Sequence, residues 1–112
     1  MAAIAQRIRD EVGSWPNVTV VPHRFGGVEY RVGRRELGHV HGDRLADLPF
    51  PIRIREELVA HGRADRHHIL PDSGWVSYRM RSADDAAHAI ELFRLNYERP
   101  WLTAAEKSPL SA

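Results

Sequence analysis

The sequence predicts one small α+β domain: a mostly antiparallel sheet of three to five strands with three helices packed on one face, ordered α-β-β-β-(β)-α-β-α. Three observations lead there. Apolar residues recur at helical spacing near both ends of the chain. Between them, strict apolar–polar alternation flanks a Gly-Arg pair, as in a β-hairpin. A chain of 112 residues, 43% hydrophobic and 28% charged, has room for one core and no second domain.

Each element has a local reason. Ile4, Ile8 and Val12 form one helical stripe with Arg7, Arg9 and Glu11 away from it, and Gly13 ends the run. Ser14-Trp15-Pro16-Asn17 is turn chemistry, and Val18, Val20 and Val21 make a β-rich run up to Pro22. Val28, Tyr30 and Val32 then alternate with Glu29 and Arg31. Gly33-Arg34, glycine first, suits a type II′ turn. That turn predicts a register of Val32 opposite Arg35, Arg31 opposite Glu36, Tyr30 opposite Leu37 and Val28 opposite His39, with an Arg31–Glu36 charge pair on the outer face.

Leu45 to Leu48 reads as a further short strand stopped by Pro49-Phe50-Pro51. A helix over 52–61 follows, with Ile54, Leu58 and His61 on one stripe and Gly62 beyond its end. Gly74 to Met80 alternates as a last strand. Ser82-Ala-Asp-Asp85 resembles a capping box, opening a helix that buries Ala83, Ala86, Ala87, Ile90, Phe93 or Arg94, and Tyr97, until Pro100 closes it. The domain is therefore expected over residues 1–101, with 102–112 a frayed tail.

Composition excludes several classes. Sixteen basic residues against fifteen acidic ones give a net charge of +1, so no global field favours nucleic acid or an anionic membrane. All the basic residues but Lys107 are arginine, a skew read as compositional and not as selection for bidentate anion contacts. The absence of cysteine rules out disulfides and thiolate metal sites. No apolar run approaches the ~20 residues that span a bilayer. Arg7, Arg9 and Asp10 break any signal-like apolar segment, so the expected location is the cytoplasm.

The residues that can carry chemistry gather around one hairpin. In the predicted register His39 and His41 share a face with Val28, Tyr30 and Leu37, turned toward the helices, at a spacing compatible with two ligands of one metal ion. Gly26-Gly27, Gly38 and Gly42 leave space beside them. Arg24, His23, Asp43, His67, His68 and Asp72 are placed to converge on the same end, and Trp75 to wall a pocket or fill the core. Of His67 and His68, adjacent on a strand, at most one is expected to join a shared site. Ser73 and Ser77 lack a nucleophile elbow, and Pro71-Asp72-Ser73-Gly74 is turn chemistry. Arg53, Arg55, Arg63 and Arg66 read as a solvated face diluted by Glu56, Glu57 and Asp65.

Two motifs fail on single residues. His39-x-His41-x-Asp43 is similar to the metal-binding start of metallo-β-lactamase folds, but Arg44 stands where histidine is required. A histidine-triad hydrolase needs histidine at position 43.

Arg24-Phe-Gly-Gly-Val-Glu-Tyr30, the stretch Gly33 to Gly42, Asp47-Leu-Pro-Phe-Pro51, the stretch Pro71 to Ser77, and Ile90 to Tyr97 together resemble the bacterial "luciferase family protein" or luciferase-domain group, over roughly residues 15 to 101. The resemblance implies no established activity, and the chain shows no similarity to flavin-dependent or firefly luciferases, so light emission is not expected. More distantly, the element order is similar to that of the YjbR-like proteins, whose fold has been proposed to bind DNA. The reading that results is a small binding domain with its cleft at the His39/His41 face. Metal-assisted or histidine-based catalysis at the same cluster, with His39 and His41 as ligands, and nucleic-acid binding are the alternatives. No cofactor is implied. A small molecule, protein or nucleic acid remains open as partner, a membrane does not, and the chain is expected as monomer or homodimer.

Overall fold

A computed structural model describes residues 3–23 and 26–99. Arg24, Pro100, Trp101 and the 102–112 segment lie outside the described residues. The elements run α1 (Ile4–Val12), β1 (Val18–Pro22), β2 (Val28–Val32), β3 (Arg35–His41), β4 (Leu45–Pro49), α2 (Ile52–Ala60), β5 (Asp65–Arg66), β6 (Trp75–Arg79) and α3 (Ala83–Glu98). The architecture is α+β as predicted, with one strand more than expected: the two-residue β5. Six strands form one antiparallel sheet in the order β1-β2-β3-β4-β6-β5. Among the described residues no helix is long and apolar enough to cross a membrane.

Local chemistry sets the ends. Asn17 takes a positive φ of 67° in the turn before β1, and Gly33 takes 60° in the hairpin turn. Asp85 accepts backbone N–H groups of Ser82 (3.1 Å) and Arg81 (2.6 Å), completing the capping box of α3. Asp43 caps α1 from afar by accepting the Ala5 N–H at 2.8 Å.

The core lies between the sheet and α1 and α3. Tyr30 meets Phe93 edge-on with centroids 5.3 Å apart, while Leu37, Val40, Leu48, Ile54 and Val76 fill the interior. The buried stripe of α3 is Ala86, Ala89, Leu92, Phe93, Asn96 and Tyr97; Ala83 and Ala87 are exposed, contrary to the predicted stripe. The helix must cover both α1 and the sheet, and two contact directions rotate its buried arc away from a single apolar stripe. His61, expected on the stripe of α2, is exposed at its C-cap.

The predicted hairpin register holds for Val32↔Arg35 and Arg31↔Glu36 and then breaks. Leu37 is an extra residue on β3, so Tyr30 faces Gly38, Glu29 faces His39 and Val28 faces Val40. Gly38 makes this possible. Its φ is 155°, and an added Cβ would lie 2.7 Å from the Asp47 carbonyl oxygen and 2.9 Å from Phe93 Cε1. Because Gly38 faces α3, His39 and His41 point to the opposite face, not toward the helices.

The displaced Leu37 carbonyl is not orphaned. Asn96, fully buried on α3, donates to it at 2.9 Å and to the Pro49 carbonyl at 3.0 Å. The predicted Arg31–Glu36 charge pair is replaced. Arg31 turns to Glu29 on its own strand and to the Arg34 carbonyl, and Glu36 turns to His39.

Candidate functional site

On either side of the bulge, β3 presents Glu36, His39 and His41 on the face away from α3, and β4 adds Asp47 opposite His39. Ser77 of β6 stands opposite Asp47. Glu36, His39, His41 and Asp47 floor a pocket of about 730 Å³. His23, Glu29, His67 and His68 extend the polar lining. Val21, Pro22, Ile69, Leu70 and Trp75 make the apolar wall.

Asp47 is the centre. It is 1% exposed, and its Oδ2 lies 3.2 Å from His39 Nε2, 3.6 Å from His41 Nε2 and 3.7 Å from His67 Nε2. Its other oxygen accepts the Ser77 hydroxyl at 2.7 Å. Burial opposes the Asp47 charge, but the hydrogen bonds from His39 and Ser77 outweigh it and hold the carboxyl below its ordinary range.

The histidines differ in protonation. His39 donates from Nδ1 to Glu36 at 2.8 Å and faces Asp47 with Nε2, so both ring nitrogens meet carboxylates. Burial disfavours its cation, yet the hydrogen bonds to Asp47 and Glu36 prevail and raise its pKa to about 9. Burial, then the neighbouring His39 cation, lowers His41. His67 is lowered by burial despite the pull of Asp47. Its tautomer is fixed by the backbone: Nδ1 accepts the N–H groups of Ile69 and Leu70, both at 3.1 Å, so Nε2 carries the proton.

Ring stacking completes the arrangement. His23 lies parallel to His39 with centroids 4.0 Å apart, and its Nδ1 is 3.1 Å from Glu29. Trp75 sits 5.4 Å from His39. One nitrogen each of His23, His39 and His41 falls within 4.8 Å of the others, and Asp47, His67 and His68 form a second such trio.

Of the residues expected at this site, His23, His39, His41, His67, His68 and Trp75 line the pocket. Asp43 is elsewhere, at the N-terminus of α1. Asp72 has a fully exposed side chain 3.9 Å from Arg66. The expectation that only one of His67 and His68 joins the cluster does not hold. Both lie past β5 with rings stacked at 4.4 Å, one facing Asp47 and the other placing Nδ1 3.3 Å from Ser77 Oγ.

The sequence reading placed neither Asp47 nor Glu36 in the site, pairing Glu36 with Arg31 on the outer face. A lone aspartate inside the apolar run Leu45 to Leu48 was the available signal for the first. Arg55, read as solvated, is 5% exposed. It donates to the carbonyls of Pro71 (3.3 Å) and Ser73 (2.7 Å), pinning the loop that carries the apolar wall.

Comparison with known proteins adds one finding. The luciferase-domain family profile matches residues 34–96, more than half of the chain. The chain belongs to the luciferase-domain family. The matched segment starts at the hairpin turn and ends at Asn96, so it contains the bulge, Asp47, the 67–75 loop and the amide clamp on α3. His23 and Glu29 precede it. No curated protein and no solved structure matches the chain.

Proposed function

We propose that this luciferase-domain protein is a small-ligand-binding domain whose site is the pocket on the face of the sheet away from α3. The observation that carries the reading is a pairing of opposites: a buried charged floor beside an exposed apolar rim. Ile69 and Leu70 are 71% and 50% exposed, and Asp47 is 1% exposed. Apolar side chains left in water and a carboxylate taken out of it both cost stability. A ligand with an apolar body on Ile69, Leu70 and Trp75 offsets the first, while the second, already met by His39 and Ser77, sets the polar end that the floor accepts. The volume of about 730 Å³ suits a metabolite-sized molecule. Glu29, Glu36 and Asp47 disfavour a nucleic-acid phosphate in the same place.

A fragment panel followed by ¹H–¹⁵N NMR tests this. Aromatic and aliphatic fragments, neutral and charged, are expected to give saturable shifts at the Trp75 indole and at residues 67–70. Leu70→Asp is expected to abolish them while leaving the rest of the spectrum intact. The absence of any saturable shift at millimolar fragment, or shifts confined to other surfaces, would overturn the reading.

A further inference from the structure

We infer that the floor of this pocket is a binding site for a divalent first-row transition-metal ion, held by His39 Nε2, His41 Nε2 and Asp47 Oδ2. The inference builds on the pocket reading by naming what its polar floor holds. Two imidazoles aim the same ring nitrogen at one carboxylate oxygen, from 3.2 Å and 3.6 Å. Ligand atoms that share a tetrahedral ion at bond lengths of ~2.0–2.1 Å stand about 3.3 Å apart. Each imidazole therefore already stands from Asp47 Oδ2 at the spacing of neighbouring corners around an ion. His23 brings a further ring nitrogen within 4.8 Å of those of His39 and His41.

The surrounding groups argue for metal over a simple ion pair. In metal sites the ligating histidine gives its second ring N–H to a carboxylate, which fixes the tautomer and raises ligand basicity. Glu36 does this for His39 Nδ1 at 2.8 Å. Ser77 does the equivalent for Asp47, occupying Oδ1 at 2.7 Å and leaving Oδ2 to the imidazoles. His67 is excluded from the ligand set, because backbone amides take its Nδ1 and freeing Nε2 would make the ring an anion. His39 instead keeps its Nδ1 proton on Glu36 and releases its Nε2 proton to solvent when the ion binds. The donors that meet at Asp47 Oδ2 with a free ring nitrogen are then two imidazoles and one carboxylate. That set suits zinc, iron, nickel or cobalt and disfavours magnesium or calcium, which prefer all-oxygen shells. The site opens into the pocket, with His41 32% exposed at the side chain, so coordination positions face the bound ligand. Three protein ligands with an open position is the pattern of a reactive or ligand-binding metal centre, not of a closed structural one.

The test uses untagged full-length protein, stripped with chelator and dialysed, then titrated calorimetrically with Zn²⁺. One ion per chain is expected, with micromolar or tighter affinity. Co²⁺ is expected to give visible d–d bands that saturate at the same stoichiometry and are displaced by Zn²⁺. His41→Ala and Asp47→Asn are expected to weaken binding by at least ~100-fold, and Glu36→Gln by ~10–100-fold through the orienting bond. His61→Ala, at an exposed histidine outside the pocket, is expected to leave affinity unchanged. Circular dichroism and melting temperature establish that each variant is folded. Absence of stoichiometric Zn²⁺ binding by the wild type, or binding by His41→Ala and Asp47→Asn equal to wild type, would overturn the inference. If the wild type binds no ion while fragments still shift Trp75 and residues 67–70, the metal site falls and the pocket reading stands. If ions bind and no fragment does, the reverse holds.

Discussion

Asp47→Asn removes one negative charge from among three imidazoles while keeping the side chain's shape and an oxygen for Ser77 to donate to. The stake is the proton on His39, held at about 9 against an ordinary 6.5. A raised folded-state pKa gives stability that is fully present below pH 6.5 and is lost as pH rises through 9. At ~1.4 kcal/mol per unit, the whole shift is worth about 3 kcal/mol, of which about 2.5 kcal/mol is present at pH 7. Asp47 and Glu36 share it, so Asp47→Asn should cost about 1–2 kcal/mol at pH 7, since His39 can shed its proton and escape a larger penalty. On the acid side the sign reverses. His41 and His67 are lowered, so stability falls as pH drops below 6.5 and the unfolded chain protonates first. The wild type should be most stable near pH 6.5–7. Urea unfolding in EDTA, followed by tryptophan fluorescence from pH 5.5 to 9.5, reads both limbs. The alkaline limb should be shallower by about half in Asp47→Asn. A wild-type profile flat between pH 6.5 and 9, or an unchanged slope in the variant, would refute the reasoning.

Two substitutions probe the bulge that orients the site. Gly38→Ala places a Cβ 2.7 Å from the Asp47 carbonyl oxygen and 2.9 Å from Leu48 Cγ and Phe93 Cε1 at a φ of 155°, and should cost ~2–4 kcal/mol in chemical denaturation. Gly33→Ala, at positive φ but in open space, should cost only ~1–2 kcal/mol, so equal losses would contradict the packing argument. Asn96→Leu leaves the Leu37 and Pro49 carbonyls without their amide donor. It should lower stability by ~2–4 kcal/mol, and a loss below ~1 kcal/mol would show that another group satisfies them.

What could be read from the sequence was what neighbours in the chain decide. The Gly33-Arg34 turn, the alternation of Val28, Tyr30 and Val32, and the Ser82–Asp85 box each depend on a few adjacent residues, and each forms as read. The carbonyl that the bulge displaces is met by Asn96, 59 positions from Leu37, and no local pattern announces that partner. One missed residue inverts every side chain beyond it, so His39 and His41 were assigned to the right cluster and the wrong face. Asp47 was illegible for a related reason. Its meaning comes from register, through His39 across one strand boundary and Ser77 across the other. Arg55 looked like one more surface arginine because the carbonyls it binds, Pro71 and Ser73, belong to a loop that folds back onto α2.

The bulge therefore does more than bend a strand. In a regular β3, Glu36 would face opposite to His39, since residues three apart in a strand lie on opposite sides. Inserting Leu37 puts both on one face, where Glu36 takes His39 Nδ1 and leaves Nε2 to Asp47. The same insertion frees the carbonyl that Asn96 captures, so the clamp in the core and the ring orientation in the pocket are two ends of one distortion. This gives Asn96→Leu a second readout that a purely local packing defect would not produce. If the clamp holds the bulge, the variant should loosen the Glu36–His39 contact and bring the His39 pKa, measured by ¹H–¹⁵N NMR of the imidazole, down toward 6.5 although residue 96 touches neither group. An unchanged His39 titration in a folded, destabilised Asn96→Leu would show that β3 keeps its register without the amide, and that the site is set by the strands alone.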